Sequence, residues 1–395
     1  HGGPHSHTAI LASSLGIPAV LGVREARRLL REDSTIIVDG GLGAVFADPD
    51  SARLQRYQEI QREAERFRLS LIALRDQPAV SLDGVEISLQ ANAERPAELI
   101  QSVEVGSQGI GLYRTEFLYL QGRPPDEESQ LEEYLSAIQT LAGKPLTIRT
   151  LDLGADKSTG VLDFSQLRRS VNPALGLRAI RLCLSDTALF KTQLRAILRA
   201  SHAGPVRCLI PMVTSVREVQ LVKELVEEAK QDLDKRKLPY DANIPLGAMI
   251  EVPAAALSLG DLGRYLDFVS IGTNDLLQYT LAVDRGDEQV AHLYDLQHPG
   301  VVRLIKHILK VARTLEIPAS VCGEVAGESR YTQLLLALGL KEFSMHPARL
   351  LEVKQVVRKT NISAAKVAIN QWLDDPGGQD DPTLLEILDR SQINP

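Results

Sequence analysis

Long hydrophobic runs are absent from this sequence. No apolar stretch approaches the ~20 residues that a membrane-spanning helix requires, and the opening residues do not read as a secretory signal. These features point to a protein without membrane insertion. Cysteine is scarce. Cys183, Cys208 and Cys322 are odd in number and far apart, which argues against a disulfide framework and for a reducing, cytoplasmic setting. A basic surplus is also missing: the net charge is -7 and the pI near 5.7, so nucleic acid is not an expected partner. There is no G-x-G-x-x-G turn of a dinucleotide-binding sheet, and no His/Cys cluster with zinc spacing. The chain starts at His1-Gly2-Gly3 rather than at methionine, which suggests an interior piece of a longer protein. Its 44% hydrophobic and 24% charged content is ordinary for a globular chain, and 395 residues suit one large domain plus a smaller piece.

Residues 1–49 contain few elements: a Gly-rich opening, a short helix around His7 to Leu15, and candidate strands at Pro18–Leu21, Thr35–Asp39 and Gly43–Ala47. So few elements make a poor core alone, and they read as the tail of a domain whose earlier strands are missing. From Asp50 to about Asp76, apolar residues recur every three or four positions (Leu54, Tyr57, Ile60, Ala64, Phe67, Leu71, Leu74), which predicts an amphipathic helix acting as a spacer. After Pro78 short apolar runs alternate with helical stretches. The runs are Val85–Leu89, Gly109–Tyr113, Leu146–Thr150, Arg207–Met212, Leu246–Ile250, Phe268–Ile271, Ala319–Val321 and Phe343–Met345. This alternation predicts a (β/α)8 barrel, with an open doubly wound sheet as the alternative. The tail from Ala364 carries two further helical patterns around a Gly-Gly turn and reads as peripheral. The expected divisions are therefore 1–49, a linker at 50–77, a barrel at 78–361 and a tail at 362–395.

In such a barrel the reactive groups sit at the carboxyl ends of the strands. Reading those ends gives Arg114, then Arg149 and Asp152, then Glu251, Asn274-Asp275 and Cys322, with Lys157 and Arg178 in a long connection and Arg285 ten residues beyond Asp275. Glu251, Asn274 and Asp275 supply only oxygen donors, which suits Mg2+ or Mn2+ better than zinc. The arginines match phosphate and carboxylate oxygens. Together they imply a small substrate carrying both groups. Singly, each arginine could instead pack its stem along the rim, and Glu251 or Asp275 could form a structural ion pair. Asn274-Asp275 could merely cap a helix starting at Leu276. Cys322, beside Gly323-Glu324, is a candidate for proton transfer as a general acid or base, whereas Cys183 and Cys208 read as small core residues. His7, in a Gly-rich segment opening a helix, is a candidate nucleophile toward phosphorus, although His5 and His7 could equally be a weak metal site or plain surface.

Several motifs occur together and in order: Gly2-Gly3-x-x-Ser6-His7-Thr8-Ala9-Ile10-x-Ala12, Gly111-Leu-Tyr-Arg-Thr-Glu-Phe117, Asn172-Pro-x-Leu-Gly-x-Arg-Ala-Ile-Arg181, Met249-Ile-Glu-Val-Pro253, Ser270-Ile-Gly-Thr-Asn-Asp275, Ala282-Val-Asp-Arg-Gly286 and Val321-Cys-Gly-Glu324. From His1 to about Asn361 the chain resembles enzyme I of the phosphoenolpyruvate-dependent sugar phosphotransferase system. The resemblance implies a partial phosphohistidine swivel domain, a linker helix and a phosphoenolpyruvate-binding barrel that also forms a homodimer. It implies transfer of phosphate from phosphoenolpyruvate to His7 and on to the carrier HPr, with release of pyruvate. In that scheme Arg114, Arg149, Arg178 and Arg285 bind the substrate, assisted by Lys157 and Asn274. Glu251 and Asp275 hold Mg2+ (or Mn2+), and Cys322 protonates the enolate.

Two positions depart from the family pattern: Pro4-His5 stands where Arg-Thr is expected, and His346-Pro347 replaces a small polar residue. The helical HPr-docking part expected before the histidine is not in this sequence. The rival enzyme class, pyruvate phosphate dikinase or phosphoenolpyruvate synthase, shares the histidine and the barrel. The Ser-His-Thr triplet and the short barrel insertions favour enzyme I. A phosphoenolpyruvate-sensing dimer module without catalysis would need a damaged rim, and the rim residues read intact.

Overall fold

The computed structural model describes residues 17–23, 26–31, 33–120, 124–153, 172–287, 289–374 and 384–393. His5, His7, Lys157 and the Gly377-Gly378 turn lie outside the described residues. The chain forms two compact units, His1–Arg75 and Asp76–Pro395.

In the first unit, β1 (Ile36–Asp39) and β2 (Ala44–Ala47) form an antiparallel hairpin, with Ile36 opposite Ala47 and Asp39 opposite Ala44. The Asp39 carboxylate organises the turn by accepting from the Gly41 and Leu42 amides at 3.0 and 2.9 Å. Its other oxygen accepts from the Tyr57 hydroxyl at 2.9 Å, tying the hairpin to helix α1 (Ser51–Ile72). Asp50 caps α1 by accepting from the Arg53 amide at 2.7 Å. The segment Pro18–Leu21 forms no strand, contrary to expectation. Four residues headed by proline, which has no N–H to donate, are poor material for a ladder.

The second unit is a closed barrel of parallel strands: β3 (Ser88–Ala93), β4 (Ile110–Tyr113), β5 (Leu146–Arg149), β6 (Val206–Ile210), β7 (Leu246–Ile250), β8 (Phe268–Ile271), β9 (Ala319–Val321) and β10 (Glu342–Met345). β10 closes on β3, with Glu342 opposite Ser88 and Met345 opposite Ala91. The (β/α)8 expectation holds. The outer helices include α2 (Pro96–Glu104), α3 (Glu127–Leu141), α4 (Ala179–Ser185), α5 (Thr187–Ser201), α6 (Val216–Arg236), α7 (Thr273–Leu281), α8 (Pro299–Thr314), α9 (Thr332–Leu338), α10 (Leu350–Lys359), α11 (Ile362–Asp374) and α12 (Leu384–Ile393). Their starts follow local chemistry. Ser215 and Glu218 form a capping box on α6, Asp126 and Asp186 cap α3 and α5, and proline opens α2 and α8.

The alternation of side chains along a strand decides what faces where. One large core cluster contains Leu89, Ala91, Ile110, Tyr113, Ile148, Cys208, Ile210, Ala248, Ile250, Val269, Ile271, Val321, Phe343 and Met345, the outward positions packed under the helices. A separate small cluster of Leu112, Leu209, Met249, Phe268 and Cys322 fills the barrel interior. Polar residues share that interior: Ser320 donates to Ser270 at 3.0 Å, and Ser344 donates to the Ala91 carbonyl at 3.1 Å. The space is tight. A Cβ on Gly247 would come within 2.6 Å of the Phe268 ring, so glycine is required there.

The polar interior explains one misplaced strand. The apolar run predicts Val85–Leu89, but the strand is Ser88–Ala93, because Gln90 and Asn92 occupy positions that an aliphatic pattern does not anticipate. Val80 and Glu86 instead form an isolated antiparallel bridge before it. In the tail, Trp372 and Leu373 of α11 and Leu384 and Leu388 of α12 are buried in the main core cluster, so these helices are packed onto the barrel unit rather than merely appended.

Candidate active site

Period-two alternation carries the inward rows to the carboxyl rim. Arg149 ends β5, while Arg114, Glu251 and Cys322 each follow directly on β4, β7 and β9. Arg149 is buried at 8% exposure and sits between two acids, with Nη2 2.6 Å from Glu116 Oε1 and Nη1 3.1 Å from Asp152 Oδ2. Arg178, the residue before α4, grips Asp152 with a fork: Nη2 lies 2.8 and 3.0 Å from its two oxygens and Nε 3.1 Å from Oδ1. The same Nη2 reaches Asp275 Oδ2 at 3.5 Å, and Nη1 reaches the Tyr279 hydroxyl at 3.5 Å. Burial alone would pull the pKa of both guanidiniums down. Glu116 and Asp152 around Arg149, and Asp152 and Asp275 around Arg178, more than offset it and raise both.

Arg114 differs. Its backbone amide donates to the Ala93 carbonyl at 2.9 Å. Among the described residues its buried Nε makes no hydrogen bond and no carboxylate pairs with it. The buried Nε of Arg149 and Glu116 Oε2 are likewise unsatisfied. Buried polar atoms without protein partners are uncommon, and several on one rim suit a site where a ligand or ordered water supplies the missing bonds.

Glu251 is 1% exposed, and its Oε1 accepts from the Met212 amide at 2.6 Å. Burial, and then the carboxylates of Asp275 and Asp152, push its pKa well above the usual carboxylate range. The chain comes close to it here: a Cβ on Gly272 would approach Glu251 Oε2 at 2.6 Å. Helix α7 begins at Thr273 with Gly272 in the capping position and no side-chain cap, so Asn274 and Asp275 lie in its first turn. That removes the reading in which they only cap a helix starting at Leu276.

Asn274 faces Glu324. Its Nδ2 donates to Glu324 Oε1 at 3.1 Å, and its Oδ1 accepts from the Glu324 amide at 2.9 Å. Arg285, expected among the anion binders, is the outlier: it is 42% exposed, and its Nη1 lies 3.5 Å from Glu324 Oε1 rather than beside Glu251. Cys322 is 1% exposed, and its Sγ sits 3.7 Å from the Ile271 carbonyl. Burial pushes the thiol up to about 11, with Glu251 raising it and Ser270, Arg149 and Arg114 lowering it. It therefore stays protonated at neutral pH. His346, the unexpected imidazole near the rim, accepts from the Ala348 amide at 3.3 Å and so caps the turn at Pro347–Arg349. Its pKa is lowered chiefly by burial.

Residues outside the expected set hold this arrangement. Glu116 carries Arg149 and also accepts from the Asp152 amide at 3.2 Å. Asn92 Nδ2 donates to the Cys322 carbonyl at 2.9 Å. Gln193 of α5 is 1% exposed and braces both sides of the β5 exit. Its Oε1 accepts from the Leu151 amide at 2.9 Å, and its Nε2 donates at 3.2 Å to Thr115 Oγ1, which donates to the Arg149 carbonyl at 3.0 Å. The glutamate stood inside the Tyr-Arg-Thr-Glu-Phe motif and was findable there. Gln193, mid-helix, carried no such signal. Gln193→Leu leaves the Leu151 amide buried without an acceptor, so a loss of about 1–3 kcal/mol is expected. A denaturation midpoint equal to that of the unaltered chain would show that Gln193 braces nothing.

The donor set suits a hard divalent cation. Among the described residues no group of three or more His, Cys, Asp or Glu side chains converges on one point. Two carboxylates, Glu251 and Asp275, are close enough to raise the pKa of Glu251. Such a pair leaves most coordination positions to water and substrate oxygens, as Mg2+ prefers.

Comparison with known proteins agrees with this geometry. Residues 70–362 match the family described as "PEP-utilising enzyme, PEP-binding domain", and residues 1–43 match "PEP-utilising enzyme, mobile domain". A phosphoenolpyruvate-protein phosphotransferase of Cupriavidus necator is 46% identical over 94% of this chain and 64% of its own length. That of Staphylococcus carnosus is 40% identical over 92% of this chain and 63% of its own length, and that of Haemophilus influenzae 38% identical over 98% and 67%. The chain thus spans about two thirds of the length of these curated relatives. It belongs to the PEP-utilising enzymes and, among them, to the family of the phosphoenolpyruvate-protein phosphotransferases.

Proposed function

We propose that this chain takes the phosphoryl group of phosphoenolpyruvate, passes it to His7 and from there to an HPr-type carrier, and releases pyruvate. The observation that carries this reading is the rim itself, where Arg114, without a carboxylate partner among the described residues, is close enough to the protonated Cys322 thiol to lower its pKa, and where the buried Glu251 carboxylate feels that of the half-buried Asp275. Arg114, Arg149, Arg178 and Arg285, with Lys157 and Asn274, bind the phosphate and carboxylate of the substrate. Enzymes of this family use a metal ion. Here Glu251 and Asp275 are the proposed ligands for Mg2+, with Mn2+ as a substitute. Held by these two carboxylates, such a cation would neutralise charge on phosphoryl oxygens.

When the P–O bond breaks, the electron pair stays on the enolate of pyruvate. The Cys322 thiol then donates its proton to the methylene carbon, which completes the ketone. A thiol at about 11 holds that proton until it is needed. The same reading assigns a swivel domain at 1–49, a linker at 50–77, a barrel at 78–361 that pairs two copies, and a tail at 362–395, in a cytoplasmic enzyme. Among the described residues no helix is long and apolar enough to cross a membrane.

The test is incubation with 32P-labelled phosphoenolpyruvate and Mg2+, followed by peptide mapping of the acid-labile label. Label on His7 with stoichiometric pyruvate is expected. Label that survives His7→Ala but disappears in His5→Ala would move the acceptor to His5.

A further inference from the structure

Asn274 Nδ2 and Arg285 Nη1 converge on one atom, Oε1 of Glu324, at 3.1 and 3.5 Å. The Glu324 side chain is 74% exposed, so it is free to leave by rotation into water. Asn274 does not depend on it for position. The backbone amide of Glu324 donates to Asn274 Oδ1 at 2.9 Å, and the Tyr294 hydroxyl donates to the Asn274 carbonyl at 2.9 Å. Removing the carboxylate would therefore leave an amide donor and a guanidinium aimed at an anion-sized gap. This differs from Glu116 and Asp152, whose buried bonds to Arg149 and Arg178 could not be broken cheaply.

We infer that the Glu324 carboxylate competes with an anionic group of phosphoenolpyruvate for Asn274 and Arg285 and so sets the affinity of the site from within the chain. This rests on the proposed function and deepens it. The carboxylate oxygen mimics a substrate oxygen in charge and in its pair of donors, and it must rotate away before those donors turn to the ligand. If it stayed, it would repel the approaching anion. An exposed ion pair is weak, so this competition tunes affinity without blocking the site.

The experiment is calorimetric titration of the chain with phosphoenolpyruvate in Mg2+, compared with Glu324→Gln and Glu324→Ala. Both variants are expected to bind about three- to fivefold more tightly, the range set by an exposed pair. A residue that merely supported Arg285 would show the opposite sign. Equal or weaker binding by both variants, with the unaltered chain binding normally, overturns the competition and leaves the proposed function standing. Absence of binding by the unaltered chain overturns the proposed function and the competition with it.

Discussion

Glu251→Gln and Asp275→Asn are each expected to cut phosphoenolpyruvate turnover by at least about a hundred- to a thousandfold while the barrel stays folded. Each substitution removes one of two negative charges proposed to hold the divalent cation. Gln can still accept from the Met212 amide, the bond that Glu251 Oε1 makes at 2.6 Å, so the local chain path is preserved. Stability should respond in the opposite direction to activity. Burial raises the Glu251 pKa above its ordinary value of 4.5, with Asp275 and Asp152 adding to the effect. A carboxyl with a raised folded-state pKa contributes stability that is complete below pH 4.5 and is lost as the pH climbs through the raised value. In excess chelator at pH 8, Glu251→Gln escapes that loss and should melt at or above the temperature of the unaltered chain. Adding Mg2+ should raise the midpoint of the unaltered chain but not that of the variant. Pyruvate release and thermal melts with and without chelator check both halves. Full activity in excess chelator, or an equal Mg2+ response in Glu251→Gln, would remove the metal assignment.

Arg149→Met should be mainly a folding defect and Arg114→Met mainly a catalytic one, although both residues occupy strand ends and both are proposed substrate ligands. Arg149 is 8% exposed and bonds to Glu116 and Asp152, so its removal strands buried negative charge, at a cost of about 3–5 kcal/mol. That is a large part of a domain's net stability of roughly 5–15 kcal/mol. Arg114 pairs with no carboxylate among the described residues, so little is left uncompensated in the fold when it goes. Its loss falls on the transferring phosphoryl group, where kcat/KM should drop by about two orders of magnitude. Denaturant midpoints and steady-state kinetics on the two variants give the comparison. A stable Arg149→Met, or an unfolded Arg114→Met, would reverse the division of labour.

The barrel was legible because most of its strands announce themselves as short apolar runs followed by helical periodicity. Leu146–Arg149, Leu246–Ile250 and Phe268–Ile271 fall within or on the expected runs. The exception, β3, failed for a physical reason. Its inward residues Gln90 and Asn92 are polar because they hydrogen-bond inside the barrel, and Asn92 accepts from Ser344 at 2.6 Å. Partners 252 residues apart leave no periodic trace.

By itself the sequence determined the alternation of strand and helix, the residue types delivered to each strand's carboxyl end, and hence an anion and a hard cation as the proposed ligands. Only the tertiary structure decided which charges neutralise one another. Arg178 meets Asp152 and Asp275 across 26 and 97 residues, Arg149 meets Glu116 across 33, and Arg285 turns to Glu324 instead of to the buried carboxylates. Coulombic energy depends on separation and burial, and neither is a property of position along the chain. Residue identity therefore named the charges, and the closure of the barrel decided that, of the four proposed substrate arginines, Arg114 has no carboxylate partner among the described residues.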